Sequence, residues 1–167
     1  MQIPIITGVI DRRILINFTV DPIIIQRIIP PPFRLKIYKG KAIVGICLIR
    51  LKHIRPKGLP AILGISSENG AHRIAVEWSE KGETKEGVFV PRRDTSSRLN
   101  SLAGGRIFPG KHFHAKFEVK EGNGHYHVAF KSSDGTTISI DAAKTGKLNA
   151  DSIFENLENA STFFEGG

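Results

Sequence analysis

The chain has a single cysteine, Cys47, so no intrachain disulfide can staple it. Cys47 sits inside the apolar run AIVGICLI and reads as a buried thiol, which fits a reducing, cytoplasmic setting. No apolar run approaches the roughly 18 residues that span a bilayer as a helix, so no membrane partner is expected. The first residues, MQIPIITGVIDRR, lack the charged start and small-residue cleavage site of a secretory leader. Acidic residues are in deficit, 16 against 24 Lys and Arg, for a formal charge of +8. That excess admits an anionic partner, yet the basic residues are scattered rather than gathered in one block. Aromatics do not interleave with them on one strand face, as a stacking RNA surface needs. A nucleic-acid role is therefore the less favoured reading.

Several chemical signatures are also missing. There is no Gly-x-Ser-x-Gly elbow and no Gly-rich phosphate loop between strand and helix. The pairs His112-x-His114 and His125-x-His127 invite a metal. A hairpin pairing Phe117 with Val128 would set His127 opposite Glu118, about 13 Å from His114 at about 3.4 Å per residue. Zinc reaches only about 2 Å to each nitrogen. Neither a metal nor a cofactor is expected.

What is present is turn-rich β sequence: 17 Gly and nine Pro punctuate β-branched runs. Strands are expected within residues 1–20. Asp21-Pro22 caps a short helix that Pro30-Pro31-Pro32 stops. A strand at 33–38 leads to the longest run, 42–53. Ala42, Val44, Ile46 and Leu48 share one face of it; Ile43, Gly45, Cys47, Ile49 and Leu51 share the other. Both faces are apolar, so this strand is central and covered on both sides. Arg50 and Lys52 end the first face, which points to water or a site there. His72, Ile74, Val76 and Trp78 alternate with Arg73, Ala75 and Glu77 on the next strand. Gly87 to Val90 is its partner, and Thr95-Ser96-Ser97 starts a short helix ending at Gly104. Residues 114–120 and 125–131 form a hairpin over Glu121-Gly122-Asn123-Gly124. Asp134-Gly135 turns into another strand, and Asp151 caps a final amphipathic helix. The sum is about eight to ten strands with three short helices, which reads as one mainly antiparallel β domain, barrel-like or sandwiched.

The segments PPPFRLKIYKGKAIVGICLIRLKHIRPKGLP, ENGAHRIAVEW, GVFVPRRDTS, GGRIFPGKHFHAKFEV and ENASTFFEGG, in that order, resemble the YqjF-like family of uncharacterised proteins in the acetoacetate decarboxylase-like superfamily. The resemblance implies a mainly β (α+β) fold, an antiparallel β barrel or cone with a few short helices around a small-molecule pocket. It implies one domain over residues 1–167. Members of the family continue with further strands beyond Phe164-Glu165-Gly166-Gly167, so the chain reads either as a short member or as one lacking a C-terminal part; in the second case a sheet edge is left open to homodimerisation.

The decarboxylases carry Gly-Arg-Glu followed by Gly-Phe-Pro-Lys-Lys, and a lysine there forms a Schiff base with the substrate ketone. Gly105-Arg106 and Pro109-Gly110-Lys111-His112 resemble these pieces. The resemblance thus makes Lys111 the candidate amine nucleophile and Glu68 the candidate pocket carboxylate. Arg73, Arg92 and Arg106 are candidate anion holders by their forked guanidinium groups. Only one lysine stands where decarboxylases have two, and no Glu follows Arg106. The expected function is binding of a small organic acid or ketone in a barrel pocket, extended to Schiff-base lyase chemistry if Lys111 reacts. The alternative is a non-catalytic binding or structural protein.

Overall fold

The protein is described by a computed structural model covering residues 5–98 and 110–165. Nine strands form one sheet: β1 (Ile6–Val20), β2 (Arg34–Leu35), β3 (Ile37–Tyr38), β4 (Lys41–Pro56), β5 (Ile65–Glu80), β6 (Glu83–Thr95), β7 (Lys111–Gly122), β8 (His125–Ser132) and β9 (Thr137–Ala143). A four-residue helix, α1 (Pro22–Ile25), follows β1, and α2 (Leu157–Phe164) lies near the C-terminal end. Asp21 caps α1 as its position before Pro22 dictates, accepting from Ile23 N at 2.9 Å. Asp151 does not cap α2. The chain stays in turns through that region, and Asn156 caps instead, accepting from Asn159 N at 2.8 Å.

Three tight turns set the strand pairings. Lys39-Gly40, Lys81-Gly82 and Asn123-Gly124 all take positive φ at both residues, the turn whose twist matches paired antiparallel strands. The hairpin register follows: Phe117 pairs with Phe130 and Val119 with Val128, so His127 faces Lys120. That is two residues from the expected alignment. The turn closes directly on Gly122 and His125, leaving two residues in the loop rather than four.

The strand order is β1-β4-β5-β6-β7-β8-β9, with β2 beside β5 and β3 beside β4. The sheet is mixed, not wholly antiparallel: β6 and β7 run parallel from Arg92–Lys111 to Thr95–His114. A parallel pair cannot be joined by a hairpin and needs a crossover. Nor does the sheet close into a barrel; β1 and β9 stand at its two ends.

It curls nonetheless. Ile46 and Leu48 of β4 share a core with Ala115, Val128 and Phe130 of β7 and β8, and Ile14 and Ile16 of β1 reach the same cluster as Ile138 and Ile140 of β9. The end strands thus pack against one shared core without pairing to each other. The opposite, convex face of β4 buries Ile43 with Ala75, Phe154 and Phe163, so α2 and the segment before it cover it. A third cluster, Ile29, Leu35, Ala42, Ile74 and Val76, packs under the α1 turn. β4 is therefore central and covered on both faces. Ile6, Val9 and Ile10 of β1 and Ile62 and Leu63 of the 59–65 loop remain exposed.

Candidate functional site on the concave face

Strand alternation assigns each candidate to a face. Glu68, His72, Arg92 and Lys111 belong to the concave face; Arg73 belongs to the convex one. Arg106, with the expected helix to Gly104, lies outside the described residues.

At one end of the concave face, Glu68 joins a charge cluster. It accepts from Arg12 Nη2 and Arg50 Nε, each at 2.5 Å. Glu121 of β7 also pairs with Arg12, and with Arg50 at 3.1 Å. Asp11 binds Lys52 at 2.8 Å and, more loosely, Arg50 at 3.5 Å. This is where Arg50 and Lys52 interrupt the apolar face of β4. The cluster ties β1, β4, β5 and β7 together where apolar packing stops. Burial opposes the Glu121 charge, but its hydrogen bonds with the two arginines hold the carboxyl below its ordinary range. Glu68 is therefore already committed to two guanidinium groups.

The other end is built around Asp94, which has 0% exposure. Its carboxylate accepts from Arg92 Nε at 2.9 Å and Nη2 at 2.7 Å, from Ser132 Oγ at 2.5 Å, and faces His72 Nε2 at 2.9 Å. Burial alone would raise its pKa; hydrogen bonds from His72, Arg92 and Ser132 override that and lower it to about 2. Arg92 also grips Asp134 at 2.6 and 3.0 Å, and its guanidinium lies 4.1 Å over the Phe113 ring. Hydrogen bonds donated to Asp134 and Asp94 push the Arg92 pKa up.

An ionised Asp94 only accepts, so His72 Nε2 is the donor. His72 Nδ1 makes no hydrogen bond among the described residues. His72, Arg92 and Lys111 form a row across β5, β6 and β7, in register as His72–Arg92 and Arg92–Lys111. Gly110 sets the start of β7: its φ is 108°, and a Cβ there would sit 2.6 Å from the Val90 carbonyl. Lys111 itself is exposed.

A groove of about 430 Å³ crosses the open mouth of the curled sheet beside this row. Its walls are almost entirely apolar, with Phe18, Ile46, Ile74 and Ile138 among them; His72, Arg73 and Arg92 are its charged or polar lining residues. A closed barrel would have filled this opening with strand pairing.

Sequence reasoning reached Glu68, Arg92 and Lys111 but not Asp94, Ser132, Arg12 or Glu121. Asp94 follows Arg92-Arg93 in a strand otherwise read only to Val90. A carboxylate within β sequence next to arginines was the available signal. Ser132 and Glu121 enter from a hairpin remote in sequence. Among the described residues no group of three His, Cys, Asp or Glu could hold a metal, and no helix is long and apolar enough to cross a membrane.

The curled mixed sheet defines an acetoacetate decarboxylase-like fold. A solved acetoacetate decarboxylase from Legionella pneumophila matches with a TM-score of 0.64 and 19% identity. The match covers 89% of this chain but 53% of that one, so the chain spans about half of that enzyme's length. Residues 9–162 match the model of DUF2071, described as an uncharacterized conserved protein, and the chain belongs to that family. No curated protein matches it.

Proposed function

We propose that the concave groove binds a small, largely apolar carbonyl compound, and that the His72–Asp94 pair moves a proton at its polar end. One observation carries this reading: a histidine whose Nε2 is fixed by a fully buried, ionised aspartate lines an apolar groove, and its Nδ1 makes no hydrogen bond among the described residues. Such a pairing fixes ring orientation and tautomer, so the second nitrogen can act as base and then acid. A proton taken from the carbon next to the carbonyl passes to Nδ1. The C–H electron pair moves into an enolate, and the same imidazolium returns a proton. The aspartate stabilises the imidazolium formed between the two steps. The likeness to a decarboxylase of a keto acid supports a carbonyl ligand.

Lys111 stands one strand beyond Arg92. A Schiff base at its amine with the same ligand is the catalytic extension of the reading. The exposure of Lys111 favours the simpler binding and proton-transfer role, because desolvation, one of the two ways an amine is made reactive, is missing there.

The test is deuterium exchange at the α-carbon of short ketones such as 2-heptanone in D2O. Exchange above buffer rate, lost in His72→Gln and reduced at least tenfold in Asp94→Asn, is the expected result. Exchange equal in wild type and His72→Gln would overturn it.

A further inference from the structure

The convex face holds a buried cation that no carboxylate among the described residues answers. Arg73 is 5% exposed. Its Nη2 donates to Asn17 Oδ1 at 2.6 Å, and its guanidinium lies 4.9 Å from the Phe164 ring. Its Nη1 is buried with no hydrogen-bond partner, and no carboxylate among the described residues forms an ion pair with it. Arg12 also leaves a buried nitrogen, Nε, unpartnered, but its charge is met by Glu68 and Glu121. Arg34, Arg50 and Arg92 likewise face carboxylates. Burial lowers the Arg73 pKa, the nearby Cys47 opposes this, and the Arg13 cation adds to the lowering. A buried charge left unpaired is costly, and a bound counter-ion removes much of that cost.

The surroundings are shaped for one. Asn17, Gly45 and Arg73 are neighbours across β1, β4 and β5. A Cβ on Gly45 would lie 2.1 Å from the Ile16 carbonyl and 3.0 Å from Asn17 Oδ1. The glycine therefore lets the side chains of Asn17 and Arg73 meet above it. With Oδ1 turned to Arg73, Asn17 Nδ2 is a second donor, and Asn17 itself is exposed. Asn17 and Phe164 both line a groove of about 490 Å³ between β1, β4 and α2. Ile43, Leu148 and Phe154 make it apolar, and Asp151 stands on its lining.

We infer that this groove is a binding site for a small monocarboxylate with an apolar body. The carboxylate bridges Arg73 Nη1 and Asn17 Nδ2, and rotation of the Phe164 ring admits it to the guanidinium. The apolar body lies against Ile43 and Phe154. The negative charge of Asp151 disfavours a second negative charge on the ligand. The Arg73 guanidinium meets Asn17 and Phe164 on the face opposite His72, while Arg73 and Gly45 also line the concave groove.

Calorimetry and thermal unfolding of the full chain at fixed ionic strength test it, with benzoate and hexanoate as probes and benzamide and hexanamide as neutral counterparts. Both carboxylates are expected to bind and raise the midpoint, and the amides to do neither. Arg73→Met is expected to weaken carboxylate binding at least tenfold. Asn17→Asp places a carboxylate beside Arg73 as an internal counter-ion; it is expected to raise the midpoint without ligand and abolish the response to benzoate. It serves as the deciding variant if Arg73→Met does not fold. No carboxylate response in wild type, or an undiminished response in Asn17→Asp, overturns the inference.

Discussion

Arg92 and Asp94, two residues apart on β6, turn to the same face and close a two-pronged ion pair, Nε to Oδ2 at 2.9 Å and Nη2 to Oδ1 at 2.7 Å. The pair is completed by His72 from β5 and Ser132 from β8. Strands that pair with β6 only on one side, or not at all, are thereby joined through one carboxylate. Removing its charge leaves Arg92 with Asp134 alone and unbalances a buried group. Asp94→Asn is expected to lower the unfolding free energy by about 3 kcal/mol, measured by urea denaturation. A change below about 0.5 kcal/mol, the usual range for surface substitutions, would show that the node is not structural.

The same carboxylate sets an acid response. Its folded pKa, about 2, lies below the ordinary aspartate value of about 3.9. A carboxyl depressed in the folded state contributes stability above the unfolded value and loses it as pH falls through the folded one. Stability should therefore decline between about pH 4 and pH 2, and Asp94→Asn should flatten that decline. Denaturation midpoints collected across this range provide the check; parallel curves for the two proteins would contradict it.

Glu68 answers two arginines at once, from β1 and β4. Glu68→Gln is expected to cost about 3 kcal/mol, because Arg12 is buried and loses one of its two counter-charges. Replacing Arg12 and Glu68 together by Met and Leu should recover most of that loss. A double-mutant cycle in urea measures the coupling.

Gly45→Ala probes the close approach of β1 to β4. Its Cβ would meet the Ile16 carbonyl at 2.1 Å, a backbone atom that cannot swing aside. The expected cost is about 1–3 kcal/mol, seen as a lower thermal midpoint. An unchanged midpoint would mean the two strands separate freely there.

Borohydride trapping addresses Lys111. With short keto acids and ketones, mass mapping is expected to find no adduct at this exposed amine beyond that on other surface lysines. Selective modification of Lys111, absent in Lys111→Met, would instead establish Schiff-base chemistry.

The sequence by itself placed the helix start at Asp21-Pro22, a turn around Asn123-Gly124, and the central strand with its two faces. Local φ preferences act at the first two, though the hairpin register itself lay two residues from the expected one, and the alternation in 42–53 already fixes which side chains oppose which. It also marked Arg50 and Lys52 as the place where an apolar face becomes charged. Tertiary structure decided which candidates meet. From the Lys81-Gly82 turn the β5–β6 register runs regularly to Ile74–Phe89, then shifts by one residue so that His72 pairs with Arg92. Without that shift Arg92 would pair with Ala71 and share a face with Arg73. With it, Arg92 joins His72 and Asp94 on the concave side, and Arg73 is left on the convex side with Asn17. The extra residue falls at Val90-Pro91, where proline cannot donate to the ladder. Because side chains alternate with a period of two, one inserted residue exchanges the faces of all that follow. Composition and spacing do not reveal such a shift; it emerges only when both strands are paired.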